Sequence, residues 1–166
     1  MAAREWRKIE FITISKKYTP KEKPMNILSE ALIEIREHNE PDYKPLIDYQ
    51  SWRVALMNYT SDLLPEKINN MQKHTETDEV FVLMKGRCIL FIGEGNSSVT
   101  KVHGVNMELY KLYNVKKGAW HSHTFSEDAR VLIVENRDTV VENSPFVSLS
   151  ESQRKEIIKL TNSLWK

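Results

Sequence analysis

Cysteine is almost absent from this sequence. Cys88 is the single cysteine among 166 residues, and one thiol excludes an internal disulfide framework. A lone cysteine is typical of proteins that work in a reducing compartment. No apolar run is long enough to span a membrane, and residues 1–8 lack the apolar core of a signal peptide. We therefore predict a cytoplasmic protein without membrane contact.

An excess of either charge sign is also absent. The chain has 24 Lys and Arg residues against 23 Asp and Glu residues, so the composition gives no electrostatic footprint for nucleic acid. A length of 166 residues is that of one domain, which is large enough to bury a hydrophobic core. We expect neither nucleic acid nor membrane among the partners.

Helical patterns occur near the two ends of the chain. Residues 9–14 favour a short strand. A helix pattern then begins at Asn26 and stops before Pro41, with an apolar face formed by Ile27, Leu28, Ala31, Leu32 and Ile35. At the other end Ser150 and Gln153 form a capping box. The apolar stripe behind that box consists of Ile157, Ile158, Thr161 and Leu164.

The middle of the sequence favours short strands separated by turns. Strand-prone segments cover residues 52–59, 79–84, 88–92, 107–113 and 129–135. The hairpin formed by the second and third segments is apolar on both faces, as expected for strands inside a closed sandwich. Helices do not alternate with these strands, and this favours an all-β sandwich or barrel over an α/β sheet.

Two histidines and one glutamate lie where strands begin. His74 precedes the strand that opens with Glu79, and His121 begins another strand after Gly118. If both strands enter the same barrel mouth, two imidazoles and a carboxylate meet there, and that set is sufficient for a divalent metal ion. The alternative is a metal-free pocket in which these side chains hydrogen-bond one another or a ligand.

Two segments resemble the motifs of the cupin superfamily. Residues 72–86 are similar to the first motif, with His74, Glu79 and Gly86 at its spacings. Residues 116–121 match part of the second motif through Gly118 and His121. The resemblance covers roughly residues 50–140. It implies an all-β fold, the cupin double-stranded β-helix or jelly-roll barrel, here with an N-terminal helix and a C-terminal helix.

The resemblance also implies a domain organisation and a ligand set. Residues 1–48 form a strand and helix that pack on the barrel, residues 49–140 form the barrel, and residues 141–166 form the C-terminal helix, all in one domain. The first motif has Gln72 in place of its leading histidine. A Gln-x-His pair followed by Glu and His is similar to the zinc site of type I phosphomannose isomerases. The implied site holds one divalent ion, whether zinc, iron, manganese or nickel, on His74, Glu79, His121 and Gln72.

Four further residues are candidates for binding or catalysis. His123 lies two residues after His121, on the same side of a regular strand, and can move a proton, as can Glu76. Arg53 interrupts an apolar strand and either binds a substrate carboxylate or phosphate or pairs at the surface. Trp120 either walls the pocket or packs in the core. The polar residues 135–139 line the mouth or a subunit contact.

Two functions remain open from the sequence. The first is an enzyme that acts on a small polar metabolite, a sugar or a hydroxy or keto acid, by isomerase-like or dioxygenase-like chemistry. The second is a non-catalytic module that binds a small molecule in the same pocket. The resemblance further implies a homodimer, because small cupins pair through their strands.

Overall fold

The computed structural model describes residues 28–166. Two units are distinct, and residue 35 ends the first of them. In the described part of the first unit, residues 30–32 form a turn closed by the Leu32 amide, which donates to the Ser29 carbonyl at 2.8 Å. The strand expected at residues 9–14 and the expected helix start at Asn26 lie outside the described residues. Residues 28–41 contain this turn and no α-helix, because helix propensity alone gives a short segment little stability.

Residues 36–166 form ten strands and one α-helix, with short 3-10 helices at Ser61–Leu63 and Val141–Asn143. The strands are β1 (Asp42–Tyr49), β2 (Trp52–Asn58), β3 (Asn70–Gln72), β4 (Glu79–Lys85), β5 (Cys88–Glu94), β6 (Lys101–Asn106), β7 (Leu112–Val115), β8 (Trp120–Phe125), β9 (Arg130–Asn136) and β10 (Phe146–Ser148). The helix is α1 (Glu151–Leu164). Among the described residues, no helix is long and apolar enough to cross a membrane.

The strands form two five-stranded antiparallel sheets. The first sheet has the order β1-β2-β9-β4-β7, and the second has the order β10-β3-β8-β5-β6. One hydrophobic cluster joins them, because Phe81 and Ile133 of the first sheet pack with Leu90 and Phe125 of the second. The predicted all-β jelly-roll barrel with a C-terminal helix is confirmed.

A second hydrophobic cluster lies behind the second sheet and is covered by α1. It includes Ile89 and Phe91 of β5 together with Ile157 of the helix. Strand β5 is therefore buried on both faces, and this explains its continuous apolar sequence. The predicted capping box is present, since the Gln153 amide donates to the Ser150 hydroxyl at 3.3 Å.

The motif glycine Gly86 is required by the β4–β5 turn. Its φ is 71°, and a Cβ added there would lie 2.7 Å from the backbone of Ala129. Any larger residue would be strained in this conformation and would also collide with the neighbouring turn. This turn ends β4, and Glu79 is the first residue of the same strand.

Candidate metal centre and its pocket

Three strands bring the candidate ligands to one end of the barrel. Glu79 is the first residue of β4, His121 is the second residue of β8, and His74 follows β3. Gln72 of β3 is paired in register with His121. One ligand atom from each of His74, Glu79 and His121 lies within 4.8 Å of the others, and all three side chains are buried. The convergence expected from the sequence is therefore present.

The carboxylate of Glu79 lies between the two imidazoles. Its Oε2 atom is 3.1 Å from His74 Nε2 and 3.0 Å from His121 Nε2. The contact with His121 does not have hydrogen-bond geometry, and among the described residues His121 Nε2 has no hydrogen-bond partner. A buried polar atom without a partner is costly in a folded protein unless another species binds it.

Backbone geometry fixes which nitrogen of His121 is basic. His121 Nδ1 lies 3.1 Å from the carbonyl oxygen of Ala119. A carbonyl can only accept, so Nδ1 carries the hydrogen and donates it. In the neutral imidazole the lone pair is then on Nε2, the atom beside Glu79. This tautomer is the one that a metal ion requires.

A short segment after β9 fixes His74 in the same way. His74 Nδ1 lies 2.8 Å from Ser144 Oγ, and the Ser144 hydroxyl donates onward to Asn143 Oδ1 at 3.2 Å. Ser144 Oγ is therefore the acceptor for the His74 Nδ1 hydrogen, and Nε2 donates its own hydrogen to the Glu79 carboxylate at 3.1 Å, a hydrogen that a metal ion would replace. Backbone contacts hold this segment on both sides of His74, from Lys73 N to Pro145 O at 3.2 Å and from Thr75 N to Asn143 O at 2.9 Å.

The electrostatics of the centre keep its carboxylate ionised. Burial alone would raise the pKa of Glu79, but the contacts with His121 and His74 outweigh burial and lower that pKa to about 2. Burial likewise opposes protonation of His74, yet the Glu79 carboxylate raises its pKa on balance. The site therefore presents an anion between two imidazoles, an arrangement that attracts a cation.

The centre lies in the wall of a pocket of about 420 Å³, a volume in the range of small-molecule sites. Polar side chains from both sheets contribute to its walls, and the 3-10 segment after β9 adds an apolar rim. Its polar lining includes Tyr43, Arg53, Asn70, Gln72, His74, Glu79, His121, Ser122, His123, Glu135, Thr139 and Ser144. The apolar rim includes Val140, Val141 and Phe146, and all three are exposed.

His123 lies in this pocket without any partner for its ring nitrogens. It is 8% exposed, and neither Nδ1 nor Nε2 has a hydrogen-bond partner among the described residues. Its ring packs on Phe125 with centroids 4.8 Å apart and on Phe81 at 5.9 Å. Burial lowers the pKa of His123 to about 4, so the ring is neutral at physiological pH and offers one donor and one acceptor.

The remaining sequence candidates divide between the pocket and other places. Gln72 and Arg53 line the pocket, although the Arg53 guanidinium donates to both carboxylate oxygens of Asp48 at 2.8 and 3.0 Å. Glu76 is exposed, is not among the lining residues, and accepts from the Asn143 amide at 3.4 Å. Trp120 is buried in the cluster under α1, with Lys73 Nζ 4.4 Å from its ring centre. Both lie outside the pocket: Glu76 is in the loop between β3 and β4, and Trp120 lies on the face of β8 opposite His121.

Two pocket residues were missed as site candidates. Tyr43 of β1 donates its hydroxyl hydrogen to Glu135 Oε1 of β9, and Glu135 is 8% exposed. The sequence signal for Glu135 was its place at the end of an apolar strand, where residues 135–139 were expected at the mouth or in a subunit contact. For Tyr43 no comparable signal exists.

Known proteins resemble this chain only remotely. No family model and no curated protein matches it. A cupin-2 domain protein of Shewanella frigidimarina is 17% identical, with a TM-score of 0.45 over 60% of this chain and 85% of that chain. Streptomyces Pac13, a nucleoside dehydratase, is 11% identical, with a TM-score of 0.48 over 67% and 82%. A hydroquinone 1,2-dioxygenase of Sphingomonas is 10% identical, with a TM-score of 0.48 over 61% and 70%. These remote similarities do not indicate which chemistry the site of this chain performs.

Proposed function

We propose that this chain is a metal-binding cupin whose pocket binds and transforms a small metabolite. His74, Glu79 and His121 hold one divalent cation, and Gln72 supplies a fourth donor through its side-chain carbonyl oxygen. The observation that carries the proposal is the buried triangle of ligand atoms within 4.8 Å of one another. Zinc, iron, manganese and nickel all accept two imidazoles and a carboxylate.

The residues present fit such an ion. Both imidazoles have their Nδ1 hydrogens engaged, at Ser144 and at the carbonyl of Ala119, so both turn Nε2 toward the site, and His74 Nε2 would exchange its hydrogen for the ion. The carboxylate between them is ionised at neutral pH because the pKa of Glu79 is about 2. The unpartnered His121 Nε2 atom gains a partner when a cation binds. Each of these properties lowers the cost of binding a metal.

The pocket is suited to a small ligand that presents oxygen atoms to this centre. When bound, the ion supplies Lewis-acid chemistry at a carbonyl or hydroxyl oxygen. His123 stands nearby in the same strand as a neutral hydrogen-bond donor and acceptor for the ligand. The exposed rim of Val140, Val141 and Phe146 can pack on an apolar part of the same molecule. A hydroxy or keto acid, or a sugar, meets the polar requirement.

Elemental analysis tests the metal assignment. The protein is purified without added metal or nickel affinity, and we expect about one divalent ion per chain. His74→Ala and His121→Ala should each lose that ion while the far-ultraviolet circular dichroism spectrum stays unchanged. His103→Ala is the matched control, because His103 is a half-exposed histidine that contacts Glu94 in a hairpin. Equal metal content in all four proteins would refute the assignment.

The homodimer implied by the cupin resemblance remains a prediction. Sedimentation equilibrium should give a mass of about twice the 19.5 kDa of one chain. A single species at the mass of one chain over the accessible concentration range would contradict it.

A further inference from the structure

A second buried carboxylate stands near the metal centre without belonging to it. Glu79 and Glu135 lie on neighbouring strands, since Val80 of β4 is paired in register with Val134 of β9. Both side chains line the same pocket. Between described residues, no hydrogen bond joins Glu135 to Glu79 or to either histidine. The pocket therefore contains two carboxyl groups in different surroundings.

The surroundings of Glu135 favour a carboxyl group that exchanges a proton. Burial raises the pKa of Glu135, the hydroxyl of Tyr43 lowers it, and the negative charge of Glu79 raises it again, with a net increase. Glu79 is shifted in the opposite direction by its two histidines. Two carboxyl groups whose environments separate their pKa values are the usual arrangement for acid–base chemistry in one site.

A network of side chains holds Tyr43 in place against Glu135. Arg53 of β2 is the register partner of both Asp48 and Glu135, but its guanidinium is engaged by Asp48 through two hydrogen bonds. The same guanidinium lies beside the Tyr43 hydroxyl. Burial and the contact with Glu135 raise the pKa of Tyr43, so its hydroxyl stays protonated and serves as a donor. Among the described residues, Glu135 thus accepts a hydrogen bond from a neutral donor and forms no ion pair.

The other proton-transfer candidates are placed less well. Glu76 is exposed and absent from the pocket lining. His123 has the right location, but it is unpartnered in the structure and no side chain orients its ring nitrogens. Unlike Glu76 and His123, Glu135 both lines the pocket and is oriented by a hydrogen bond, the one from Tyr43.

We propose that Glu135, oriented by Tyr43, is the general acid–base group of this pocket and exchanges a proton with the ligand held at the histidine centre. This inference rests on the proposed function. In the forward step an O–H bond of the ligand, or a C–H bond next to its carbonyl, breaks. The proton goes to the Glu135 carboxylate and the electron pair stays on the ligand oxygen or carbon. The reverse step returns the proton, so no oxidant or reductant is consumed.

The first test needs no ligand. In metal-free protein carrying 13C-labelled glutamate, the carboxyl carbon of Glu135 is assigned by its loss in Glu135→Gln and then followed against pH. The groups that face it are Glu79, His74, Tyr43 and Arg53, and together with burial they predict a midpoint above the ordinary glutamate value of about 4.3. Tyr43→Phe removes a donor to the carboxylate, so it should move the midpoint higher. A midpoint at or below that ordinary value would overturn the proposal.

The second test counts protons during binding of a defined probe, acetohydroxamic acid, to the metal-loaded protein. The probe binds as its anion, and its O–H proton needs an acceptor. Calorimetry in buffers of different ionisation enthalpy, at a pH above the measured midpoint of Glu135, gives the number of protons released. We expect Glu135→Gln to release about one more proton per site than wild type. The control variant Glu127→Gln, which changes an exposed residue outside the pocket, should match wild type.

The two proposals fail in different ways. If wild type and Glu135→Gln bind metal and release equal numbers of protons, the role of Glu135 is refuted and the metal centre stands. Metal-loaded wild type that does not bind the probe also contradicts the role of Glu135. If the protein binds no metal, the proposed function fails, and the titration of Glu135 in the metal-free protein still decides whether the pKa of this carboxyl group is raised.

Discussion

Glu79 and Glu135 occupy neighbouring strands of one pocket, yet their surroundings differ in kind. Glu79 lies between two imidazoles, at 3.1 and 3.0 Å from their Nε2 atoms. Glu135 accepts from a neutral tyrosine hydroxyl, while the guanidinium of its register partner Arg53 is engaged by Asp48. The first environment lowers the pKa of its carboxyl group, and the second raises it.

The difference shows how a barrel can shift the pKa values of two glutamates in opposite directions. Alternation along β4 and β9 brings both glutamates inward, and only the partner side chains separate their roles. The histidine side, built from β4, β8 and the residue after β3, is arranged to bind a cation. The tyrosine side, built from β1, β2 and β9, is arranged to orient a carboxyl group.

Removing the negative charge from each glutamate in turn should give the largest difference between the histidine side and the tyrosine side. Glu79→Gln removes the anion between the imidazoles, so metal affinity should fall by more than the roughly 10- to 100-fold that loss of an outer hydrogen-bond partner causes. Glu135→Gln should keep the wild-type metal content. Competition with a fluorescent chelator measures both affinities. Equal losses in the two variants would show that the glutamates share one role.

Ser144→Ala should have the next largest effect. The substitution removes the acceptor of the His74 Nδ1 hydrogen, so both the tautomer and the orientation of that ring are less constrained. Metal affinity is expected to fall by about 10- to 100-fold while the fold is kept.

The exposed Ser148 of β10 supplies the matched control. Ser148→Ala should bind metal as wild type does, by the same chelator competition. An unchanged affinity in Ser144→Ala would mean that Ser144 does not hold His74.

Asp48→Asn should have the smallest effect of these variants, a slight change in melting temperature. It should also change the pKa of Glu135 on the tyrosine side. The contact with Arg53 lowers the pKa of Asp48, so its contribution to stability is present above the unfolded pKa of about 3.9 and is lost as the pH falls further. The melting temperature of Asp48→Asn should therefore lie slightly below wild type at pH 6 and approach it below pH 4.

The same variant releases the Arg53 guanidinium beside Glu135, its register partner. A free cation there should lower the pKa of Glu135, which carboxyl 13C shifts can follow. If the pKa of Glu135 is unchanged in Asp48→Asn, the engagement of Arg53 by Asp48 is not the reason that Glu135 forms no ion pair.

The histidine side was predictable because its signal is local in sequence. His74 and Glu79 lie within one loop and strand start, and the spacing around Gly86 and Gly118 identified the turns of a barrel. Gln72 was also predicted, and it lines the pocket in register with His121. The all-β fold and the helix α1 followed from strand patterns and from the capping box at Ser150.

The tyrosine side was not predictable because it depends on pairing between distant segments. Tyr43 and Glu135 are 92 positions apart. Strand β1 contains Pro45 and a register shift between Pro45 and Ile47, which obscures the alternation that marks a strand. Glu76 and Trp120 were assigned to the site from sequence proximity to the ligands. Glu76 instead lies in an exposed loop, and the pleat of β8 directs Trp120 into the cluster under α1.

The most direct test of the account is a crystal structure of the protein grown with zinc, with anomalous data collected at the zinc absorption edge. We predict one strong anomalous peak bounded by His74 Nε2, Glu79 Oε2 and His121 Nε2, with Glu135 outside the coordination sphere and still bonded to Tyr43. The contradicting result is the absence of a peak at this position, or a peak that includes Glu135 among its ligands.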